Sequence, residues 1–117
     1  MKLSEIKDIL NARVLTGNDD MDRNIAAGGA ADIMEAFLSA VAKDGLILTG
    51  LMSEEVVRTA TISQVGAVVF VRGQEPTPRI IDQAQSFNLP LLVTDYSMFV
   101  SIGKLYMNGL RGLDGSW

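Results

Sequence analysis

Thr49, Gly50 and Ser53 follow a short apolar run, and their residue types can bind a small anion. Glycine lets the backbone approach a ligand closely, and a helix that begins after Ser53 offers free backbone N–H groups to negative charge. A purely structural role is the alternative, in which Gly50 makes the turn and Ser53 caps the helix. The sequence leaves both interpretations open, and the binding interpretation predicts an anion site here.

Two further segments with binding potential follow the next two apolar runs. The first contains Arg72 followed by Gly73, and the arginine can hold a phosphate or carboxylate through two parallel hydrogen bonds. The second contains Thr94 and Asp95, and Asp95 is suited to bind a ribose hydroxyl. Alternatively, Arg72 is solvated or contacts a second subunit. One of the polar residues before Met98 alternatively caps the last helix.

No signature of a catalytic site is present. The sequence contains no His and no Cys, which excludes disulfides, thiolate catalysis and Ser-His or Cys-His pairs. In the only Gly-Lys pair, Gly103-Lys104, the first glycine that a P-loop needs is replaced by Met98. We therefore predict no catalytic residue and no metal site. An enzyme would have to use a carboxylate such as Asp95 or Asp32.

Hydrophobic periodicity predicts the elements that position these residues. Apolar runs without polar alternation are typical of strands covered on both faces, and apolar residues three or four apart are typical of helices. Gly28-Gly29 is interpreted as a tight turn, and with Asp32 beyond it as a fourth, weaker candidate loop. After a short first helix, the pattern predicts strands at 12–15, 24–27, 46–49, 67–71 and 89–93, and helices at 31–42, 54–64, 78–87 and 97–108.

Alternating strands and helices with short loops predict a single three-layer α/β domain. We expect a mostly parallel central sheet of four to five strands, flanked by helices on both faces. Ligands of open parallel sheets bind beyond the carboxyl ends of the strands. The candidate ligand-binding residues all follow predicted strands in this way: Thr49, Gly50, Ser53, Arg72, Gly73, Thr94 and Asp95.

The composition restricts the partners and the location. The net charge is −4 and Lys and Arg form no cluster, which disfavours nucleic acids and anionic membranes as partners. The longest apolar runs have about five residues, whereas a membrane helix needs roughly 20. The amino terminus is charged too early for a signal peptide. We expect a cytoplasmic protein, and the absence of Cys fits that location.

The last predicted helix is apolar on more than one face. Its apolar residues are Met98, Phe99, Ile102, Leu105 and Tyr106. One face is expected to pack on the sheet, and the other is available to a second subunit. Complete burial of this helix within one subunit is the alternative.

Over about residues 1–110, the chain resembles the DRTGG domain family. The resemblance rests on five stretches in the same order along the chain, which are KLSEI at 2–6, LILTGL at 46–51, VVRTA at 56–60, VVFVRG at 68–73 and LPLLVT at 89–94. It implies a regulatory module similar in fold to the N-terminal domain of HPr kinase/phosphorylase. Such modules are often joined to paired CBS domains, to phosphotransacetylase or to family II pyrophosphatase.

The resemblance further implies dimerisation, and it assigns no catalytic residue. It also implies that CBS-linked members belong to adenine-nucleotide-sensing assemblies, in which the CBS domains are the nucleotide site. We therefore expect a homodimeric, non-enzymatic module that regulates a metabolic enzyme or CBS-type partner. Its ligand would be a small anion such as an adenine nucleotide. The alternative is an interaction or assembly module without a small ligand, and an enzyme is the least favoured. The domain is predicted at 1–110, with a flexible tail at 111–117.

Overall fold

A computed structural model describes residues 1–38 and 42–115 of the chain. Helices and strands alternate along most of it, as the periodicity predicts. In chain order the elements are α1 (Leu3–Ile9), β1 (Arg13–Thr16), a 3-10 turn (Asn18–Asp20), β2 (Gly28–Ala30), α2 (Glu35–Leu38), β3 (Leu46–Thr49), α3 (Glu54–Ile62), β4 (Ala67–Phe70), α4 (Pro78–Ser86), β5 (Leu91–Val93) and α5 (Met98–Met107).

The sheet has five strands in the order β1-β5-β4-β3-β2. Strands β2, β3, β4 and β5 are parallel neighbours, and β1 joins β5 in antiparallel pairing. The prediction of a mostly parallel sheet with helices on its faces is therefore confirmed. The three apolar runs that suggested it lie side by side and point the same way, with Ile47 opposite Val68 and Val69 opposite Leu92.

Side chains alternate between the two faces of the sheet, so that each face has its own core. One core includes Ile47, Val68 and Phe70 and packs against helices α2, α3 and α4. The other includes Leu48, Val69 and residues of α1 and α5. Strands β3, β4 and β5 are buried along their whole length, which explains why their sequences show no polar alternation.

Hydroxyl side chains begin three of the helices. Ser53 accepts a hydrogen bond from the Glu55 backbone N–H at the start of α3. Thr77 and Ser97 do the same for α4 and α5. Each cap satisfies one backbone donor that has no partner within the helix. These caps fix where the helices begin after strands β3, β4 and β5.

The prediction around residue 28 is wrong in its boundaries. The strand that joins the sheet is Gly28–Ala30, not 24–27, and the helix described after it is Glu35–Leu38, not 31–42. Residues 39–41 of the predicted helix lie outside the described residues. The two glycines pair with β3 as a strand. Residues with larger side chains would not fit there, because the space beside each glycine is filled by other side chains. A Cβ at Gly28 would lie 2.9 Å from Leu110 Cδ2.

Residues at the start of the predicted tail lie against β2. The Gly28 N–H donates to the Arg111 carbonyl at 2.8 Å, and the Leu113 N–H donates to the Gly28 carbonyl at 3.0 Å. The flexibility of residues 111–117 stays a prediction. Over the described ranges, no helix is long and apolar enough to cross a membrane.

Candidate functional site

The carboxyl ends of four parallel strands form one continuous edge, which we call the rim. It consists of the segments 31–34, 49–53, 72–74 and 94–97, which follow β2, β3, β4 and β5. Since these strands are neighbours in that order, the rim segments lie in a row. The structure thus brings the predicted residues of three loops to one edge. In the fourth loop the polar side chain at this edge is Asp32, because Gly28 and Gly29 lie within β2.

Asp32 bridges the first two segments of the rim. Its Oδ1 accepts a hydrogen bond from the Gly50 N–H at 2.8 Å and another from the Thr49 hydroxyl at 3.2 Å. The Thr49 hydroxyl also accepts a hydrogen bond from the Leu51 N–H at 3.1 Å. Thr49 is fully buried, whereas Asp32 is exposed. The Asp32 carboxylate therefore accepts hydrogen bonds from the polar donors at the tip of β3, which are the Gly50 N–H and the Thr49 hydroxyl.

Arg72 links the second and third segments. A Cβ added to Gly50 would contact Arg72 Nη2 and would lie 3.5 Å from Asp32 Oδ1, so the guanidinium lies directly over this glycine. Arg72 has a φ of 63°, a left-handed conformation that is costly for a residue with a side chain. Within the described ranges, the guanidinium makes no hydrogen bond or ion pair. The rim thus holds an exposed cation in a strained backbone.

Gly73 and Asp95 join the third and fourth segments. Gly73 has a φ of 69°, and a Cβ there would lie 2.7 Å from Asp95 Oδ1. The Gly73 N–H donates to the Thr94 carbonyl at 2.8 Å. Glycine is therefore required here both by its conformation and by the close approach of a carboxylate. Along the rim, the charged side chains alternate as Asp32, Arg72 and Asp95.

Besides Thr49, two further predicted site residues have hydroxyls that form hydrogen bonds within the fold. Thr94 is 1% exposed, and its hydroxyl donates to the Leu10 carbonyl at 2.6 Å. It also accepts a hydrogen bond from the Tyr96 N–H. Ser53 caps α3, as the structural interpretation predicted. The loop after β3 is followed by Glu54 and Glu55 in the first turn of α3, whose negative charge opposes an anion at that helix end.

Sequence reasoning placed Asp32 near a candidate loop but did not include it in the ligand set. The signal that could have found it is its position two residues after an Ala-terminated strand, which requires the correct strand boundaries. In the described part of the chain, no group of three or more acidic residues is arranged to hold a metal ion. The chemistry that the rim offers is hydrogen bonding and charge recognition.

Among the described residues, two of the cavities that lie away from the rim are a groove and a cleft. A groove of about 250 Å³ runs between the β2 edge and α5 and is lined mainly by apolar residues, including Ala30, Ile102 and Tyr106. A polar cleft of about 500 Å³ is lined by Asp19, Asp20 and other residues near the amino ends of the strands. None of the seven predicted ligand-binding residues lines either cavity.

Helix α5 presents a second surface of interest, which we call the α5 stripe. Its members share one side of the helix and are Phe99, Ile102, Gly103, Tyr106 and Met107. Phe99 is 85% exposed and Met107 is 86% exposed. The opposite side of the helix buries Ser101 and Leu105. One side of α5 thus packs on the sheet, while the other leaves large apolar side chains in solvent.

The fold and the rim define a class: a three-layer α/β domain with a polar, charged edge at the ends of its parallel strands. The chain belongs to the DRTGG domain family, whose model matches residues 5–106. The resemblance found in the sequence is therefore confirmed. A search of curated proteins found no match.

A solved structure with a similar fold comprises the CBS and DRTGG domains of the regulatory region of Clostridium perfringens pyrophosphatase, complexed with the activator diadenosine tetraphosphate. The TM-score is 0.74 and the sequence identity is 17%. The likeness covers 89% of this chain and 45% of that chain. At this identity the likeness shows the fold, and this chain spans less than half of the length of that structure.

Proposed function

We propose that this chain is a non-catalytic regulatory module that senses a small anionic ligand at the rim and acts on a metabolic partner protein. It works as a homodimer in the cytoplasm. The observation that carries the proposal is Arg72, whose guanidinium lies over Gly50 beside Thr49 and makes no ion pair with the described residues. A left-handed arginine whose side chain makes no ion pair with the described residues supports a functional role, because strain of this kind persists where function requires it.

The ligand class follows from the groups beside this arginine. A guanidinium binds phosphate oxygens in a bidentate manner, and a glycine without a Cβ lets the ligand reach the backbone. Asp95 adds an acceptor for ribose hydroxyls at the far end of the rim. A phosphorylated nucleoside presents both chemistries. The activator in the similar pyrophosphatase region contains adenosine and phosphates, which supports an adenine nucleotide as the first ligand to test.

Titration calorimetry with AMP, ADP, ATP and acetyl phosphate tests this function. We expect heat of binding for the adenine nucleotides with the wild-type chain. Arg72→Gln removes the charge but keeps a polar side chain, and it should weaken binding about tenfold or more. If none of the four compounds produces heat at millimolar concentration, the ligand-sensing proposal is wrong.

Arg58→Gln is the matched control for this experiment. Arg58 lies exposed on α3 and makes no ion pair within the described ranges. It carries the same charge as Arg72 but lies outside the rim. Its substitution should leave the affinity for the nucleotide unchanged. Equal weakening by both variants would mean that net charge, rather than the rim, determines binding.

The α5 stripe supports a second candidate function, an assembly module that forms a homodimer without a small ligand. Gly103 lies within the stripe, and a Cβ added to it would meet nothing within 4 Å. The fold of one subunit therefore does not require this glycine, although a mid-helix glycine costs about 1 kcal/mol relative to alanine. A glycine at this place allows a second helix to approach closely, as the same helix of a second copy would.

Sedimentation equilibrium of Gly103→Leu tests the assembly function. Leucine keeps the stripe apolar but blocks close approach, so the dimer should dissociate about tenfold more readily. The melting temperature of the subunit should not fall, since leucine favours the helix. Gln85→Leu adds a leucine to the exposed side of α4 and should not affect the dimer. A monomeric wild-type chain would contradict this function.

A further inference from the structure

The donors at the tip of β3 already have an anionic partner within the chain. The Gly50 N–H and the Thr49 hydroxyl both donate to one carboxylate oxygen, Oδ1 of Asp32. Arg72 Nη2 approaches the same glycine but makes no ion pair with Asp32. A backbone N–H, a hydroxyl and a guanidinium around one glycine are the groups that bind a phosphate oxygen.

We propose that Asp32 is an internal competitor for the ligand of the rim. In the free protein its carboxylate occupies the place of an anionic oxygen, and a ligand binds at Gly50 only when this carboxylate moves away. This inference rests on the proposed ligand-sensing function and adds its regulation. It also makes the segment 31–34, which connects β2 to α2, the part of the chain that responds to the ligand.

The local contacts permit this movement. Asp32 is exposed, and its hydrogen bonds from the Gly50 N–H and the Thr49 hydroxyl end on the same oxygen. Thr49 is kept in place without Asp32, because it is fully buried in β3 and accepts a hydrogen bond from the Leu51 N–H. The neighbouring Met34 is buried and anchors the segment on the other side. Displacement of Asp32 therefore affects one short connection and leaves the strand tip intact.

The competition also selects the ligand. A ligand that displaces a carboxylate with one negative charge must be attracted more strongly by the same donors and by the Arg72 guanidinium, and a second negative charge provides that attraction. A phosphate monoester carries about two negative charges at neutral pH, and a simple carboxylate carries one. The rim should therefore bind AMP or inorganic phosphate and reject acetate.

Asp32→Asn tests the competition. Asparagine retains an oxygen that can accept from the Gly50 N–H and the Thr49 hydroxyl, but it has no charge. We expect the affinity for AMP to increase about tenfold in calorimetric titration. In the double variant Asp32→Asn with Arg72→Gln, this increase should disappear. The backbone amide resonance of Gly50 should shift on addition of AMP to the wild-type chain, since its acceptor changes.

Asp82→Asn is the control, because Asp82 is exposed on α4 and its substitution changes the net charge equally. Its affinity for AMP should match that of the wild-type chain. If the wild-type chain binds AMP and Asp32→Asn binds it equally or more weakly, the competition is wrong and the ligand-sensing function stands. If neither chain binds AMP or inorganic phosphate, both proposals fall. Binding by Asp32→Asn alone would mean that Asp32 closes the site in the wild-type chain, and the ligand-sensing function of the wild-type chain would then be wrong.

Discussion

The rim and the α5 stripe are both exposed, but they differ in how their groups are satisfied. At the rim, Thr49, Gly50 and Gly73 already have hydrogen-bond partners inside the chain. In the α5 stripe, Phe99 and Met107 remain more than four-fifths exposed. The rim is thus ordered by the fold, whereas the stripe gains stability only when another surface covers it.

We therefore expect substitutions of hydrogen-bonded rim residues to affect folding, and substitutions of the exposed apolar residues of the α5 stripe to affect association. A group that is already bonded contributes to the free energy of unfolding, so its loss destabilises the subunit. An apolar side chain in solvent contributes little to the subunit and much to a complex. Arg72 is the exception at the rim, since its backbone is left-handed and its side chain makes no ion pair within residues 1–38 and 42–115.

The largest expected effect is that of Phe99→Glu on dimerisation. A charge in an apolar interface should raise the dissociation constant about 100-fold or more, measured by sedimentation equilibrium. The subunit should still fold, because Phe99 is exposed and a glutamate suits the first turn of α5. Ile62→Glu, at another exposed apolar residue (73% exposed), is the control. An unchanged dissociation constant for Phe99→Glu would show that the α5 stripe is not the dimer interface.

Thr94→Val should have the next largest effect, on the stability of the subunit. Valine has a similar shape but loses the hydrogen bonds to the Leu10 carbonyl and from the Tyr96 N–H. The free energy of unfolding should fall by about 2 kcal/mol, measured by urea denaturation. A decrease below about 0.5 kcal/mol would show that the rim is less dependent on its internal hydrogen bonds than its geometry indicates.

Gly73→Ala should destabilise the subunit by about 1–2 kcal/mol, since φ is 69° and the added Cβ would meet Asp95 Oδ1. The matched change is Gly50→Ala, where φ is not positive and the added Cβ meets the end of the Arg72 side chain and lies at an ordinary contact distance of 3.5 Å from Asp32 Oδ1. Urea denaturation should show a smaller loss for Gly50→Ala. Similar decreases in the free energy of unfolding for both variants would contradict the claim that only Gly73 is required by its backbone conformation.

The smallest expected effect on stability is that of Arg72→Gly. Glycine relieves the left-handed strain but adds freedom to the unfolded chain, so the unfolding free energy should change by less than about 1 kcal/mol. Nucleotide binding should nevertheless be lost in calorimetry. This separates a side chain of the rim that acts in binding from the rim side chains that stabilise the fold. A loss of stability as large as that of Thr94→Val would assign Arg72 to the fold instead.

Much of the fold is predictable from the sequence because its signals are local. The runs at 46–49 and 67–71 are apolar throughout, which indicates strands buried on both faces. Thr77 before Pro78 and Ser97 before Met98 place two helix starts. The segment around Gly28 was misplaced, because two glycines resemble a turn when the side chains that cover them are not yet known.

The candidate site was predictable only in part. Parallel strands guarantee that their carboxyl ends share an edge, so the grouping of Gly50 and Arg72 followed from the predicted topology. Whether a hydroxyl faces the rim or the interior did not follow. Thr94 turns inward to Leu10, which lies 84 residues away along the chain, and no local pattern encodes that contact.

The sequence by itself determined the class of the fold, the identity of the buried strands and the loops that follow them, because burial and capping depend on neighbouring residues. The tertiary structure was needed to show that Asp32 meets Gly50, that the Arg72 side chain makes no ion pair in the described part of the chain, and which side of α5 faces solvent. These facts depend on strand order and register, which bring together residues that are distant along the chain.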